Sequence, residues 1–206
     1  MSYIDGYFDR NSDIIRIVER QNKERVFKEY PIKYTFYHED PGGKYKSTTG
    51  KPLNRIVSKN TKDFHKELAI NRNKTLFESD INPIFQCLSE NYLNQNAPDL
   101  NIAFFDIEAD FDPEKGFSQP SDPFMPITAI TVSLQWLNTM VTFAIPPKTM
   151  GIEEAKELTK GIENVYLYKD EADMLKAFLD IIQDADVISG WNSEGYDLPY
   201  IINRIK

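Results

Sequence analysis

Residues 101–116, NIAFFDIEADFDPEKG, run an apolar stretch, Ile102 to Phe105, straight into carboxylates at every second position: Asp106, Glu108, Asp110 and Asp112. A period of two belongs to an extended strand, whose successive side chains point to opposite faces. Phe105 and Ile107 then face a core, while Asp106 and Glu108 share the other face, about 7 Å apart along the strand. Carboxylates so placed repel one another unless a cation joins them. Hard divalent cations take oxygen ligands, and Mg²⁺ commonly takes one or two carboxylates with a phosphate completing its shell. Two such ions about 3.5–4 Å apart serve phosphodiester hydrolysis. The plainer alternative is a strand running out into solvent. A calcium loop of EF-hand type fails, because its sixth position needs glycine and here holds Phe111 or Lys115. Asp110 and Asp112 read as surface residues.

The charge is unevenly spread. Residues 1–98 carry 16 Lys+Arg against 13 Asp+Glu, whereas residues 99–206 carry 8 against 19. That shift, and the polar, proline-broken stretch YLNQNAPDLN (92–101), predict two modules, a β-rich domain over 1–98 and an α/β domain over 99–206. A strongly acidic module that binds nucleic acid needs cations to neutralise it, since the phosphate backbone is itself anionic. Cys87 is the only cysteine, which excludes a disulfide framework and a thiolate zinc site. No apolar run approaches the roughly 20 residues that span a bilayer, and the N-terminus lacks a signal-peptide layout. A reducing cytoplasm and no membrane partner are expected.

Within the first module, SDIIRIVER and RVFKEYPIKYTFYHE read as strands separated by the turn QNKE. EDPGGKYKSTTGKP reads as a loop, and TKDFHKELAINRNK as a helix capped by Thr61. In the second, IAFFDIE is a strand, and FDPEKGFSQPSDPFMP is a loop with four prolines. ITAITVSLQWL and MVTFAI form a hairpin across the turn NT. GIEEAKELTKG is helical and NVYLY extended. DEADMLKAFLDIIQDA is a helix capped by Asp170, with Met174, Leu175, Phe178 and Ile182 as its buried stripe. DVISGW reads as a buried strand. DLPYIINRIK begins a helix that tolerates Pro199 in its first turn. By itself Asp197 reads as the cap of that helix and Asn192 as a turn residue.

The element order is that of a ribonuclease-H-like α/β layer. FFDIE, followed much later by GWNSEGYDLPYI, resembles the first and second exonuclease motifs of family B DNA polymerases, in wording nearest the replicative polymerases of T-even-like phages. DINPIFQCLSENYL, GFSQPSDPFMPITAITV and KSTTGKPLNRI extend the resemblance, well over residues 76–206 and loosely before them.

The resemblance implies a ribonuclease-H-like (DnaQ-like) 3′→5′ proofreading exonuclease fold, incomplete at its C-terminal end and preceded by a small β-rich α+β domain. It implies two Mg²⁺ or Mn²⁺ ions held by Asp106 and Glu108, with Asp197 supporting the second. Asn192, Tyr196 and Phe117 would hold the frayed 3′ end of single-stranded DNA, Phe117 by stacking, which tolerates any base. The remaining polymerase domains are the implied partners, in the cytoplasm of an infected host, and RNA is a second candidate ligand for the N-terminal domain. The family's third motif, Y-x-x-x-D beyond the second, has no counterpart before Lys206. YLYKD (166–170) fits its letters but precedes Asp197, and Asp170 reads as a cap. A fragment or split subunit with feeble or no activity is expected. The alternatives are a non-catalytic nucleic-acid binding module, or a stand-alone nuclease whose last ligand is Asp110 or Asp112.

Overall fold

The computed structural model describes residues 2–206, and the chain divides into two compact units, one up to Asp99 and one from Leu100 to Lys206. The first holds two antiparallel sheets. Strands β1 (Ser2–Asp9), β2 (Ile14–Gln21) and β3 (Glu24–Pro31) form a meander in that order. Its second turn places Asn22 and Lys23 at positive φ, as a tight two-residue hairpin requires. The long apolar segment after it is two strands, because Pro31 cannot donate to a ladder. The chain resumes as β4 (Tyr34–Glu39) in a second sheet.

That second sheet is completed by β5 (Tyr45–Lys46), β6 (Pro52–Ser58) and β7 (Leu76–Phe77), in the order β5-β6-β4-β7. Helix α1 (Thr61–Ile70) buries Phe64, whose ring stacks on Tyr34 at 4.1 Å. Its cap is Asn60, not Thr61: Asn60 Oδ1 accepts from the Asp63 amide. Thr61 is instead the first helical residue, and its amide and hydroxyl both donate to Asp13. Helix α2 (Pro83–Asn91) starts on a proline, whose missing N–H costs nothing there. One buried charge stands out. Glu19 lies within β2, 1% exposed, and accepts from Tyr92 Oη at 2.5 Å and Lys28 Nζ at 2.8 Å. Burial pushes its pKa up, but the bonds from Lys28, Tyr92 and Gln21 outweigh that and hold it below the usual glutamate range.

In the second unit, a five-stranded sheet has the order β11-β10-β9-β8-β12. Strand β8 is Ile102–Ala109, β9 Ile127–Leu134, β10 Thr139–Ala144, β11 Val165–Leu167 and β12 Val187–Ser189. The first three run antiparallel, while β11 and β12 add parallel strands at the two edges. The β9–β10 hairpin closes through a 3₁₀ turn, Gln135–Leu137, with Asn138 in the left-handed region, so its loop is longer than NT alone. Helices α3 (Ile152–Leu158), α4 (Glu171–Ile181) and α5 (Asp197–Ile205) complete this mixed α/β unit. Asp170 caps α4 through the Asp173 amide, and Met174, Leu175, Phe178 and Ile182 are buried. They pack with Phe105, Ile107, Ile130, Val132 and Tyr200 in one core. Strand β12 departs from its expected burial. Val187 and Ile188 stay more than a third exposed, because it pairs only with β8 and forms the rim of the sheet.

Candidate active site

Strand β8 presents its residues alternately: Ala103, Phe105 and Ile107 are buried, and Phe104, Asp106 and Glu108 exposed. Phe105 packs on Phe178 of α4 with ring centroids 5.5 Å apart, which fixes the strand's orientation. Asp106 and Glu108 therefore stand on the open face. A β-bulge follows Glu108, where its register partner Ala129 gives way to Ile127 opposite Ala109. Such bulges turn a strand locally and re-aim its side chains. Thr128 Oγ1 donates to the Glu108 carbonyl at 3.1 Å beside it.

Asp197 comes to this strand from the far end of the chain. Edge strand β12 ends at Ser189, and at Gly190 the backbone lies so close to β8 that a Cβ would stand 2.2 Å from the Phe105 carbonyl oxygen. Only glycine fits there. The chain then turns through Asn192, which adopts φ 54°, and the Asn192 carbonyl accepts from the amides of Gly195 and Tyr196. That turn starts α5. Asp197 is its first helical residue and not its cap; Tyr196 holds the cap position without a side-chain bond. The freed carboxylate points elsewhere: Asp197 Oδ1 accepts from the Ile107 amide at 3.3 Å, between Asp106 and Glu108. Asp197 is 4% exposed. Burial raises its pKa, the bond from Ile107 opposes this, and the negative charge of Asp106 raises it further. A buried carboxylate facing a second one on the open face of the strand forms a site that gains from a cation.

The other expected residues are distributed as follows. Asn192 lies in the turn, and its Oδ1 folds over Gly195, where a Cβ would stand 2.6 Å away. Tyr196 packs on Tyr200 at 5.6 Å and donates from Oη to the Ser118 carbonyl at 3.3 Å. Phe117 is 70% exposed, with its ring 5.0 Å from that of Phe111. Asp112 is occupied locally. Its Oδ1 accepts from the Glu114 and Lys115 amides, bonds that hold its pKa below the usual range. Asp110 likewise accepts from the Phe111 amide. Among the described residues, no three His, Cys, Asp or Glu side chains are gathered closely enough to hold an ion as they stand. The donor chemistry still suits a hard divalent cation: Asp106 and Glu108 are exposed and free to rotate, and all three offer carboxylate oxygens.

Sequence reasoning missed what secures the loop over residues 110–126. Tyr200 Oη donates to the Met125 carbonyl at 2.8 Å, and Asn203 Nδ2 to the Pro120 carbonyl at 2.7 Å. Arg204 donates to the Pro123 carbonyl and pairs with Glu171, whose Oε1 also accepts from the Ile127 amide at 2.8 Å. One face of α5 thus supplies Asp197 and, a turn or two later, the ties that fix the loop carrying Phe117. The i, i+3 spacing of Asp197, Tyr200 and Asn203 was the available signal.

Residues 53–206 match DNA polymerase family B, exonuclease domain. The chain is 27% identical over 216 residues to the DNA-directed DNA polymerase of Escherichia phage RB69, an alignment covering 93% of this chain and 24% of that protein. It is 33% identical over 112 residues to the DNA polymerase catalytic subunit of Saimiriine herpesvirus 2 (strain 11), covering 52% of this chain and 10% of that protein. The chain thus spans about a quarter or less of the length of these relatives. With three quarters of its residues matched, together with the FFDIE and GWNSEGYD segments that meet at β8, the chain belongs to the exonuclease-domain family of the family B DNA polymerases.

Proposed function

We propose that this chain carries part of the 3′→5′ proofreading exonuclease of a phage replicative DNA polymerase, on a ribonuclease-H-like scaffold, with Asp106, Glu108 and Asp197 as its metal-binding carboxylates. The observation that carries the reading is the bond from the Ile107 amide to Asp197 Oδ1, which brings the second-motif aspartate to the strand of the first. The two RB69 and herpesvirus relatives are DNA polymerases, which favours DNA as substrate. Bound Mg²⁺ or Mn²⁺ would supply a water activated at neutral pH and charge neutralisation at the scissile phosphate. The chain's own residues do the positioning. Asp106 and Glu108 offer oxygens from a strand held rigid by the core. Asp197 is pre-oriented by Ile107, and Phe117 offers an exposed ring to the terminal base. Tyr196, tied to Ser118, couples the α5 turn to the Phe117 loop. Asn192 stands at φ 54° in the turn that leads into α5, next to the Asp197 end of the site. The stand-alone nuclease reading is disfavoured, since Asp110 and Asp112 spend their carboxylates on loop amides.

Mn²⁺ binding by the whole chain, followed by electron paramagnetic resonance, is the direct test. Asp106→Ala should weaken it at least about tenfold, the loss of one charged ligand. Trimming of a 3′-labelled single strand should be feeble and should vanish in the same variant. Mn²⁺ affinity unchanged in both Asp106→Ala and Asp197→Ala would falsify the reading.

A further inference from the structure

We infer that the first unit binds a small apolar carboxylate in a cavity beside α2, with Lys59 receiving its charge. The unit has more than one hydrophobic core: Ile15 and Cys87 belong to one, and Ile32 to another. A cavity of about 430 Å³ is lined by these residues of both cores, together with Pro31, Val57 and Pro83. Pockets for small ligands have volumes of about 300–1,000 Å³ and mostly apolar walls. Ile15, Ile32, Pro83 and Cys87 are buried, while Pro31 and Val57 keep apolar surface exposed. Burial above all pushes the Cys87 thiol up, so it is uncharged at neutral pH and acts as a small apolar group. Protein interiors are otherwise close-packed, and apolar space left open where two cores meet favours an apolar occupant.

The polar groups around the cavity decide the charge of that occupant. Lys33 and Glu90 neutralise one another in an ion pair at 2.5 Å. Gln86 spends both ends of its amide on the backbone of β4: Oε1 accepts from the Thr35 amide at 2.8 Å, and Nε2 donates to the Thr35 carbonyl at 2.7 Å. Tyr92 gives its proton to Glu19, so Tyr30 donates to Tyr92 Oη, at 3.0 Å. Asn91 Nδ2 donates to the Cys87 carbonyl at 2.9 Å. Lys59 is left. It lies just past β6, is exposed, and joins no ion pair among the described residues. The rim therefore sets one uncompensated positive charge beside an apolar interior. A lysine ammonium is a point charge, which suits a carboxylate, and a single negative charge matches it. A phosphate would bring a second charge that no group of the rim meets. This site does not depend on the exonuclease reading.

Isothermal titration calorimetry of the whole chain in EDTA tests this with sodium octanoate, sodium 1-naphthoate and, as the neutral control, 1-octanol. At least one acid should bind more tightly than octanol, and the tighter of the two identifies an aliphatic or an aromatic ligand. Lys59→Glu, at an exposed position, should weaken that acid about fivefold, since an exposed attraction gives way to a repulsion, and should leave octanol as it was. A second readout needs no variant. In the unaltered chain the bound acid should slow labelling of Cys87 by methyl methanethiosulfonate in proportion to occupancy, followed by mass spectrometry, because that thiol lines the cavity. The proposal is overturned if neither acid binds better than octanol, if Lys59→Glu leaves the acid's affinity unchanged, or if Cys87 is labelled as fast with the acid bound.

Discussion

Asp197 is held under tension by its own surroundings. It is buried, it faces Asp106, and bonds from the Ile107 amide and its own backbone amide compensate it only in part. Its raised pKa has a definite sign in linkage. Folding penalises the ionised form, so the cost is absent below the ordinary aspartate range, grows as pH rises through the raised pKa, and is complete above it. Asp197→Asn keeps an oxygen for the Ile107 amide and removes the charge. The variant should therefore melt higher than the parent at neutral pH in EDTA, and the difference should disappear on acidification. Differential scanning calorimetry at two pH values checks this. A lower melting temperature for the variant at neutral pH would mean that the carboxylate stabilises the apo fold, contrary to the argument. Stability gained where function is lost is the expected signature of a strained site.

At the scale of elements, α5 does two tasks, and the tie through Glu171 can be separated from the chemistry. Glu171, 15% exposed at its side chain, holds Arg204 and the Ile127 amide together. Removing it strands a partly buried guanidinium and an N–H at the start of β9. Glu171→Ala should cost about 3 kcal/mol, in line with breaking a buried pair by deleting one partner. Urea denaturation should show it as a lower midpoint with an unchanged slope. Gly190→Ala is the complementary variant. Its methyl group cannot fit beside the Phe105 carbonyl, so β12 must shift outward and carry Asn192 and Asp197 with it. Mn²⁺ affinity should then fall although no ligand has changed.

The same elements mark what the sequence discloses. Helix α4 was legible in full, cap and stripe, because both signals are local and periodic. The paired Asp106 and Glu108 were legible from alternation alone. The bulge after Glu108 was not, since register depends on β9 as much as on β8. Exposure of Val187 and Ile188 was hidden too: an apolar run reads the same at the rim of a sheet as in its middle. Asp197 read locally as a cap, and only the resemblance pointed it towards Asp106, because the bond that orients it joins residues ninety apart in sequence. The Asn60 cap was missed by one position because Asn and Thr are both good caps and neighbours here.

Across the whole molecule, the two units have separate cores and carry buried carboxylates of opposite habit. In the first unit, Glu19 has a lowered pKa, so its stabilisation is full above the usual glutamate range and is lost as pH falls through the lowered value. In the second, Asp197 imposes a cost that acid relieves. Acidification from neutral should therefore first strengthen residues 100–206. Further acid, below the ordinary glutamate range, should weaken the first unit. Hydrogen exchange read by mass spectrometry resolves the two, with peptides from β8 and α5 gaining protection before peptides from β2 lose it. Tyr92→Phe isolates the first effect. It deletes one donor to the buried Glu19 carboxylate, should cost about 2 kcal/mol, and should leave exchange in β8 as it was. Adding Mg²⁺ at neutral pH should protect β8 and α5 and not β2, since the cation relieves the same repulsion that acid does. Were acid and Mg²⁺ to act on different peptides of the second unit, Asp106 and Asp197 would not share one electrostatic site.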